Sequence, residues 1–338
     1  MKRLRQRRQG TRLARLNPPN DGRIEGRLRG GAIHDDASVS RAPALLLRVK
    51  ETRSALVVSV GRNSAWVALD DEPGIRLAQI RRSSGTRSMP APGDRVVVRP
   101  LDESTTVIDA VAPRTRLLER RTVGGRSKVL AANVDLLVTV TSLAEPPPRT
   151  IVLDQLLAYA HFEEIEPLVV FTKADLTADA ATLPALYAAL GFTCFTIDAK
   201  RAIGTEALTM ALRDRPALLC GVSGVGKSSL FRSLGGEGEI GEVSRRGIGR
   251  QTTTAARLVR MGSGFLIDSP GIAEFGLGEV SAAELTPAFG EFTAAGRCRF
   301  ADCSHRNEPD CAVLAAVAVG RIARSRYESY VRILEGSV

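Results

Sequence analysis

The run Gly221-Val222-Ser223-Gly224-Val225-Gly226-Lys227-Ser228-Ser229 has the form of a phosphate-binding loop. Gly221 and Gly226 permit backbone angles that a side chain forbids, so successive N–H groups can turn inward around a polyphosphate. The Lys227 ammonium reaches the β- and γ-phosphates, and the Ser228 hydroxyl is a ligand for Mg²⁺. The flanks agree. Residues 217–220 are a short apolar run of the kind a buried strand needs, and residues 228–234 open a helix whose positive end faces the phosphates. A chance glycine-rich turn is the bland alternative, and it accounts for neither flank.

Further segments choose the nucleotide. Thr172-Lys173-Ala174-Asp175 follows the apolar residues 167–171, and so falls at the carboxyl end of a strand, where α/β sheets place ligand contacts. A carboxylate at Asp175 accepts hydrogen bonds from guanine N1–H and the N2 amine, whereas adenine would leave it unpaired. The segment resembles the Asn-Lys-x-Asp guanine signature with Thr172 in place of Asn, which weakens one polar contact and keeps Asp175. A solvated helix start is the alternative. Asp198-Ala199-Lys200 fits the last guanine element, usually Ser-Ala-Lys. Asp268-Ser-Pro-Gly271 follows the apolar residues 264–267 and matches the Asp-x-x-Gly element that holds Mg²⁺ and senses the γ-phosphate. Between it and the loop lies Gly249-Arg-Gln251-Thr252-Thr253-Thr254, polar and led by a glycine, as a switch segment is. One of its threonines completes the Mg²⁺ shell. Thr253 is the candidate ligand, and Gln251, Thr252, Thr253 and Lys227 are the candidate catalytic residues.

The order of these motifs is unusual. The guanine signature at 172 precedes the phosphate loop at 221, so the domain is expected to be circularly permuted, which is tolerable because domain termini lie close together at the surface.

Cys298-x₄-Cys303-x-His305-x₅-Cys311 places three thiols and an imidazole within fourteen residues. Four such ligands close a tetrahedral Zn²⁺ shell with no position open to a substrate, which makes the metal structural. A disulfide pair is the alternative, but no secretory signal precedes it and phosphate-loop chemistry belongs to a reducing compartment. Cys194 and Cys220 sit in apolar runs and read as small buried hydrophobes.

The chain has 338 residues, enough for two or three domains, and a formal net charge of +10 that favours an acidic partner. Residues 1–30 hold ten Lys or Arg against Asp21 and Glu25. With nearby Pro and Gly they read as a flexible tail that binds RNA phosphates rather than a mere solubilising arm. No apolar run approaches a membrane span. Residues 45–112 carry short strands at 55–60, 64–69, 75–80 and 94–98 separated by Gly, Asp and Pro, a pattern for a small β-barrel. Arg76, Arg81, Arg82, Arg87 and Arg95 decorate it, which suits an oligonucleotide-binding (OB) fold with phosphate contact; a purely structural barrel is the alternative. An apolar strand at 133–140 and a helix at 149–164 begin an alternation of strands and helices that runs to 271. Residues 312–334 read as one or two helices with a second basic face of Arg321, Arg324, Arg326 and Arg332, a solvated face being equally open there.

Together these features resemble the ribosome small subunit-dependent GTPase A (RsgA) family. The resemblance rests on the tail, the barrel with Pro92-Gly-Asp94, Ala131-Ala-Asn-Val-Asp135, the permuted motifs and the whole run from Cys298 to Cys311. It implies a multidomain protein: a tail at 1–40, an OB barrel at 41–114, a permuted P-loop GTPase domain at 115–277 and a helical zinc-binding domain at 278–338. It also implies GTP and GDP with Mg²⁺ as ligands, one structural Zn²⁺, a cytoplasmic location, and binding to the 30S subunit and its 16S rRNA late in maturation, with subunit-stimulated hydrolysis. Nothing demands more than a monomer. Gln251 stands where many members carry a His, and Gln cannot accept a proton from water at neutral pH. Ile272 stands where Ras-like enzymes keep a water-positioning Gln. The free enzyme is therefore expected to be slow. Two rivals differ in class: a permuted GTPase of the large subunit, against which the barrel and the Cys/His run argue, and an RNA-binding adaptor in which GTP is mainly a structural ligand.

Overall fold

The computed structural model describes residues 52–72, 74–80, 89–101, 105–121, 127–235, 257–268 and 277–336. The basic tail, Arg81, Arg82, Arg87, Gln251, Thr252, Thr253, Thr254, Gly271 and Ile272 lie outside them. Residues 49–338 form one compact unit.

Five strands, β1 (Arg53–Val60), β2 (Ser64–Leu69), β3 (Ile75–Ile80), β4 (Arg95–Pro100) and β5 (Thr106–Val111), close into a barrel in the order β1-β2-β3-β5-β4. β3 runs parallel to β5 and the other neighbours are antiparallel, the five-stranded Greek-key arrangement of an OB fold. Period-two alternation divides β1 between two cores. Ala55 and Val57 point into the barrel, while Leu56 and Val58 point out and join a cluster shared with the rest of the chain. Arg76 and Arg95, expected to present cations to nucleic acid, are instead paired with Glu72 and Asp70. Their charge is matched within the barrel, so they add little to attract phosphate.

A hairpin, β6 (Leu117–Arg121) with β7 (Ser127–Ala132), leads to the central sheet. Its end is stitched to the barrel: Ala132 N donates to Pro92 O at 2.7 Å, and Asn133 Nδ2 donates to Gly93 O at 3.1 Å. Thus the two short motifs at 92–94 and 131–135 meet in space. The strand expected from 133 begins at Leu136, because Asn133 takes a left-handed turn (φ 56°) to make these bonds.

The sheet contains β8 (Leu136–Ser142), β9 (Glu166–Thr172), β10 (Thr193–Ile197), β11 (Pro216–Cys220), β12 (Arg257–Met261) and β13 (Gly264–Asp268), in the order β10-β9-β8-β11-β13-β12. All neighbours are parallel except the β12–β13 hairpin. Helices α1 (Thr150–Phe162), α2 (Thr182–Ala189), α3 (Thr205–Leu212) and α4 (Lys227–Ser233) accompany it. All seven residues of β8 are buried, as a parallel strand covered on both faces requires.

Residues beyond the sheet form α5 (Ala282–Leu285), α6 (Gly290–Ala294), α7 (Ala312–Ala318) and α8 (Arg324–Leu334), so the segment 312–334 is two helices. Arg326 does not belong to an outer basic face. It is 1% exposed, ion-paired with Asp154 of α1, and its Nε donates to Glu291 Oε1 of α6 at 2.7 Å. Its guanidinium lies 4.4 Å from the Phe289 ring centroid, and Tyr187 Oη donates to Asp154 at 2.6 Å. A cation this deeply buried needs such partners. Among the described residues no helix is long and apolar enough to cross a membrane.

Candidate nucleotide site and metal centre

The glycine loop leaves the carboxyl end of β11, the strand between β8 and β13. Gly221 adopts φ +146°, and a Cβ there would sit 2.3 Å from the Val140 carbonyl oxygen; no side chain fits. Gly226 caps α4 at φ +96°. Val225 is buried beneath the loop, Val222 is half-buried, and Ser223, Gly224 and Ser228 face solvent. The Lys227 ammonium donates to Gly221 O at 2.7 Å and Val222 O at 2.8 Å. Burial pushes its pKa below the ordinary lysine value, and Asp268 opposes that shift.

The guanine signature abuts this loop. Thr172 ends β9, buried, and its hydroxyl donates to Val225 O at 2.6 Å, with Thr141 O at 3.2 Å as a further acceptor. Thr172 therefore braces the loop, an outcome sequence reasoning missed in treating it as a weakened polar contact. Lys173 takes a left-handed conformation, and its ammonium donates to Gly224 O at 2.8 Å and to Glu145 O. Ala174 and Asp175 start a 3₁₀ turn, Ala174–Leu176. Asp198 follows β10, and its carboxylate accepts from Lys200 N at 3.0 Å and Arg201 N at 3.2 Å, which fixes the turn carrying Ala199.

These pieces line one cleft of about 520 Å³: Thr172, Lys173, Asp175, Asp198, Ala199 and Lys200 at one end, Ser223, Gly224, Gly226, Lys227, Ser228 and Ser229 at the other. Glu145 and Leu176 also line it and were not anticipated. For Glu145 the signal was available, since it follows the carboxyl end of β8. Asp268 ends β13 in register with Leu219 of β11. Ser228 and Asp268 offer the hard oxygen donors that suit Mg²⁺.

The sulfur and nitrogen atoms of Cys298, Cys303, His305 and Cys311 all lie within 4.8 Å of one another. Cys298 and Cys311 Sγ are 3.8 Å apart, and each is 3.5 Å from His305 Nδ1. Tetrahedral Zn–S bonds of about 2.3 Å and Zn–N of about 2.0 Å place ligand atoms about 3.5–3.8 Å apart, so the cluster fits zinc. Glu308 holds the knuckle, accepting from Ser304 N and Oγ, both at 2.6 Å, and from Arg306 N at 3.0 Å. Tyr330 of α8 donates to Ser304 O at 3.2 Å. Cys220 is 1% exposed, the small hydrophobe expected.

A family model described as RsgA GTPase matches residues 111–278. A Pseudomonas fluorescens protein named small ribosomal subunit biogenesis GTPase RsgA is 41% identical over 281 residues, 79% of this chain and 81% of that one. A Moorella thermoacetica protein of the same name is 39% identical over 249 residues, 72% and 83% respectively. Among solved structures, YjeQ from Thermotoga maritima has a TM-score of 0.61 at 29% identity, covering 85% of this chain and 99% of that one. YloQ, titled a circularly permuted GTPase, scores 0.60 at 22% identity, over 86% and 96%, and bears on the fold alone.

Fold and motif order together define a circularly permuted P-loop GTPase with an N-terminal barrel and a C-terminal Cys₃His cluster. The chain belongs to the RsgA GTPase family and is a GTP hydrolase.

Proposed function

We propose that this protein binds the 30S subunit through its 16S rRNA during late assembly and hydrolyses GTP there to govern its own release, as a cytoplasmic monomer. The observation that carries this reading is the convergence of the guanine signature and the phosphate loop on one cleft, in a chain whose relatives are named for small-subunit biogenesis.

Asp175 selects the base, with Ala199 and Lys200 beside it. Lys227 and the N–H groups of residues 221–229 hold the phosphates. Water is the acceptor: its oxygen bonds to the γ-phosphorus as the bond to the β-phosphate oxygen breaks. Lys227 and the loop donors meet the charge that gathers on the leaving oxygen. Ser228, Asp268 and Thr253 would hold Mg²⁺, which neutralises charge between the β- and γ-phosphates. The cysteines and His305 would hold one Zn²⁺, which supplies folding stability. Gln251 and Ile272 offer no strong base and no second polar group for the water, so the 30S subunit must improve the geometry.

Single-turnover GTP hydrolysis with and without purified 30S subunits tests the proposal. Marked acceleration is expected. A rate that subunits leave unchanged makes GTP a structural ligand and the protein an RNA-binding adaptor.

A further inference from the structure

The barrel packs against the hairpin that carries Asp268. Leu56, Val58 and Ala68 of the barrel share one apolar cluster with Leu258, Phe265 and Ile267 of β12 and β13. At the edge of this contact, Arg260 of β12 donates through Nη2 to Leu69 O, the last residue of β2, at 2.8 Å. The same nitrogen lies 3.9 Å from Asp70 Oδ1, and Asp70 also holds Arg95 of β4. Asp70 thus gathers one arginine from the barrel wall and one from the sheet.

β12 is an edge strand whose sheet partner is β13, with Arg260 opposite Phe265 and Arg257 opposite Asp268. Asp268 in turn lies beside Leu219, two residues before Gly221. A shift of the hairpin therefore displaces Asp268 relative to the phosphate loop. In sequence, β12 begins three residues after Thr254. Arg260 itself does not line the cleft.

We propose that Arg260 is a positioning residue for GTP hydrolysis, tying the β12–β13 hairpin to the barrel so that a 30S subunit bound against the barrel is felt at the phosphate end of the cleft. This rests on the functional reading above. The link suits such a role because its groups are one third exposed, 34% for Arg260 and 37% for Asp70. Water can replace an ion pair at that exposure at little cost, so the contact can be made and broken.

The test uses full-length protein, 30S subunits and two substitutions: Arg260→Met, which keeps the aliphatic stem, and Arg260→Lys, which keeps a donor. Melting temperature, GDP affinity, affinity for subunits and the single-turnover rate at saturating subunit are measured for each. For Arg260→Met, melting, GDP affinity and subunit affinity stay near wild type while the saturating rate falls about tenfold, within the range of coupling through packed elements. Arg260→Lys recovers most of the rate. A saturating rate in Arg260→Met equal to wild type overturns the proposal alone. A loss of melting temperature or GDP affinity that accounts for the rate also overturns it, leaving Arg260 a structural contact. A wild-type rate that subunits do not raise overturns the functional reading and this proposal with it.

Discussion

The α/β domain is joined to its two neighbours by different chemistry. Toward the barrel, a buried apolar cluster is accompanied by a partly exposed arginine that bonds a main-chain carbonyl. Toward the C-terminal helices, α1 meets α8 through Arg326 and Asp154, with side chains 2% and 0% exposed, flanked by Glu291, Tyr187 and Phe289. Breaking the Arg260 link exposes groups that water already reaches, although Leu56, Val58 and Ile267 beside it are buried. Separating Arg326 from Asp154 strands charges in a low-dielectric interior. The C-terminal module is therefore set in fixed register on α1, while the exposed Arg260 link to the barrel can be broken and remade.

The sharpest challenge to this comparison is metal loss. Cys303→Ser should release zinc and strip hydrogen-exchange protection from residues 298–336, while GDP affinity stays near wild type. Metal analysis of the wild type should give near-stoichiometric zinc. Iron in its place, or GDP binding lost together with the metal, would mean that the C-terminal module is no separate support.

Next comes the buried pair. Arg326→Met leaves two carboxylates without their cation and is expected to cost about 3–5 kcal/mol in denaturant unfolding. Adding Asp154→Leu should recover part of that loss. Arg260→Met on the other joint should cost no more than about 1 kcal/mol. Equal costs at the two joints would erase the distinction.

The cleft gives a reference that touches neither joint. Asp175→Asn replaces the acceptor for guanine N1–H, so GTP affinity should fall by about 2–3 kcal/mol and XTP affinity should rise, with unfolding unchanged. Unaltered GTP binding in a nucleotide titration would show that Thr172 to Asp175 is not the base pocket.

How far the sequence reveals this arrangement depends on the distance between partners. The phosphate loop was legible because its glycines, Lys227 and Ser228 act within nine residues of chain, and the Cys/His run because metal ligands are few and local. Arg326 read as a surface cation because its partner Asp154 is 172 residues away. Thr172 read as a damaged base contact because its acceptor, the Val225 carbonyl, carries no sequence signal. The fifth barrel strand was obscured by a register shift between Val97 and Val98 of its neighbour, which leaves β5 with a burial pattern that does not alternate. The β6–β7 hairpin hides behind the charges of Glu119, Arg120 and Arg121, although Leu118 of β6 and Leu130, Ala131 and Ala132 of β7 are buried.

The smallest expected effect on the folded domains concerns the basic tail. Removing residues 1–30 should leave melting and intrinsic hydrolysis unchanged, lower affinity for 30S subunits and flatten its salt dependence, since fewer counterions are released. Stimulation at saturating subunit should survive. Its abolition in turnover titrations at several salt concentrations would make the tail part of the trigger.

The central place of β11 has a consequence for synthesis. β8 pairs with β9 on one side and β11 on the other, yet Pro216 is made 74 residues after Ser142. At about 5–20 residues per second, that gap lasts about 4–15 s. During it the growing chain adds β9 and then the base-side turn, while the edge of apolar β8 that β11 will pair stays open, the kind of edge that recruits other chains. Translation thus completes the base end of the cleft before the phosphate end exists. Nucleotide can bridge both ends of the cleft only once β11 and the loop that follows it have been made, whereas in the unpermuted order the phosphate loop is made first.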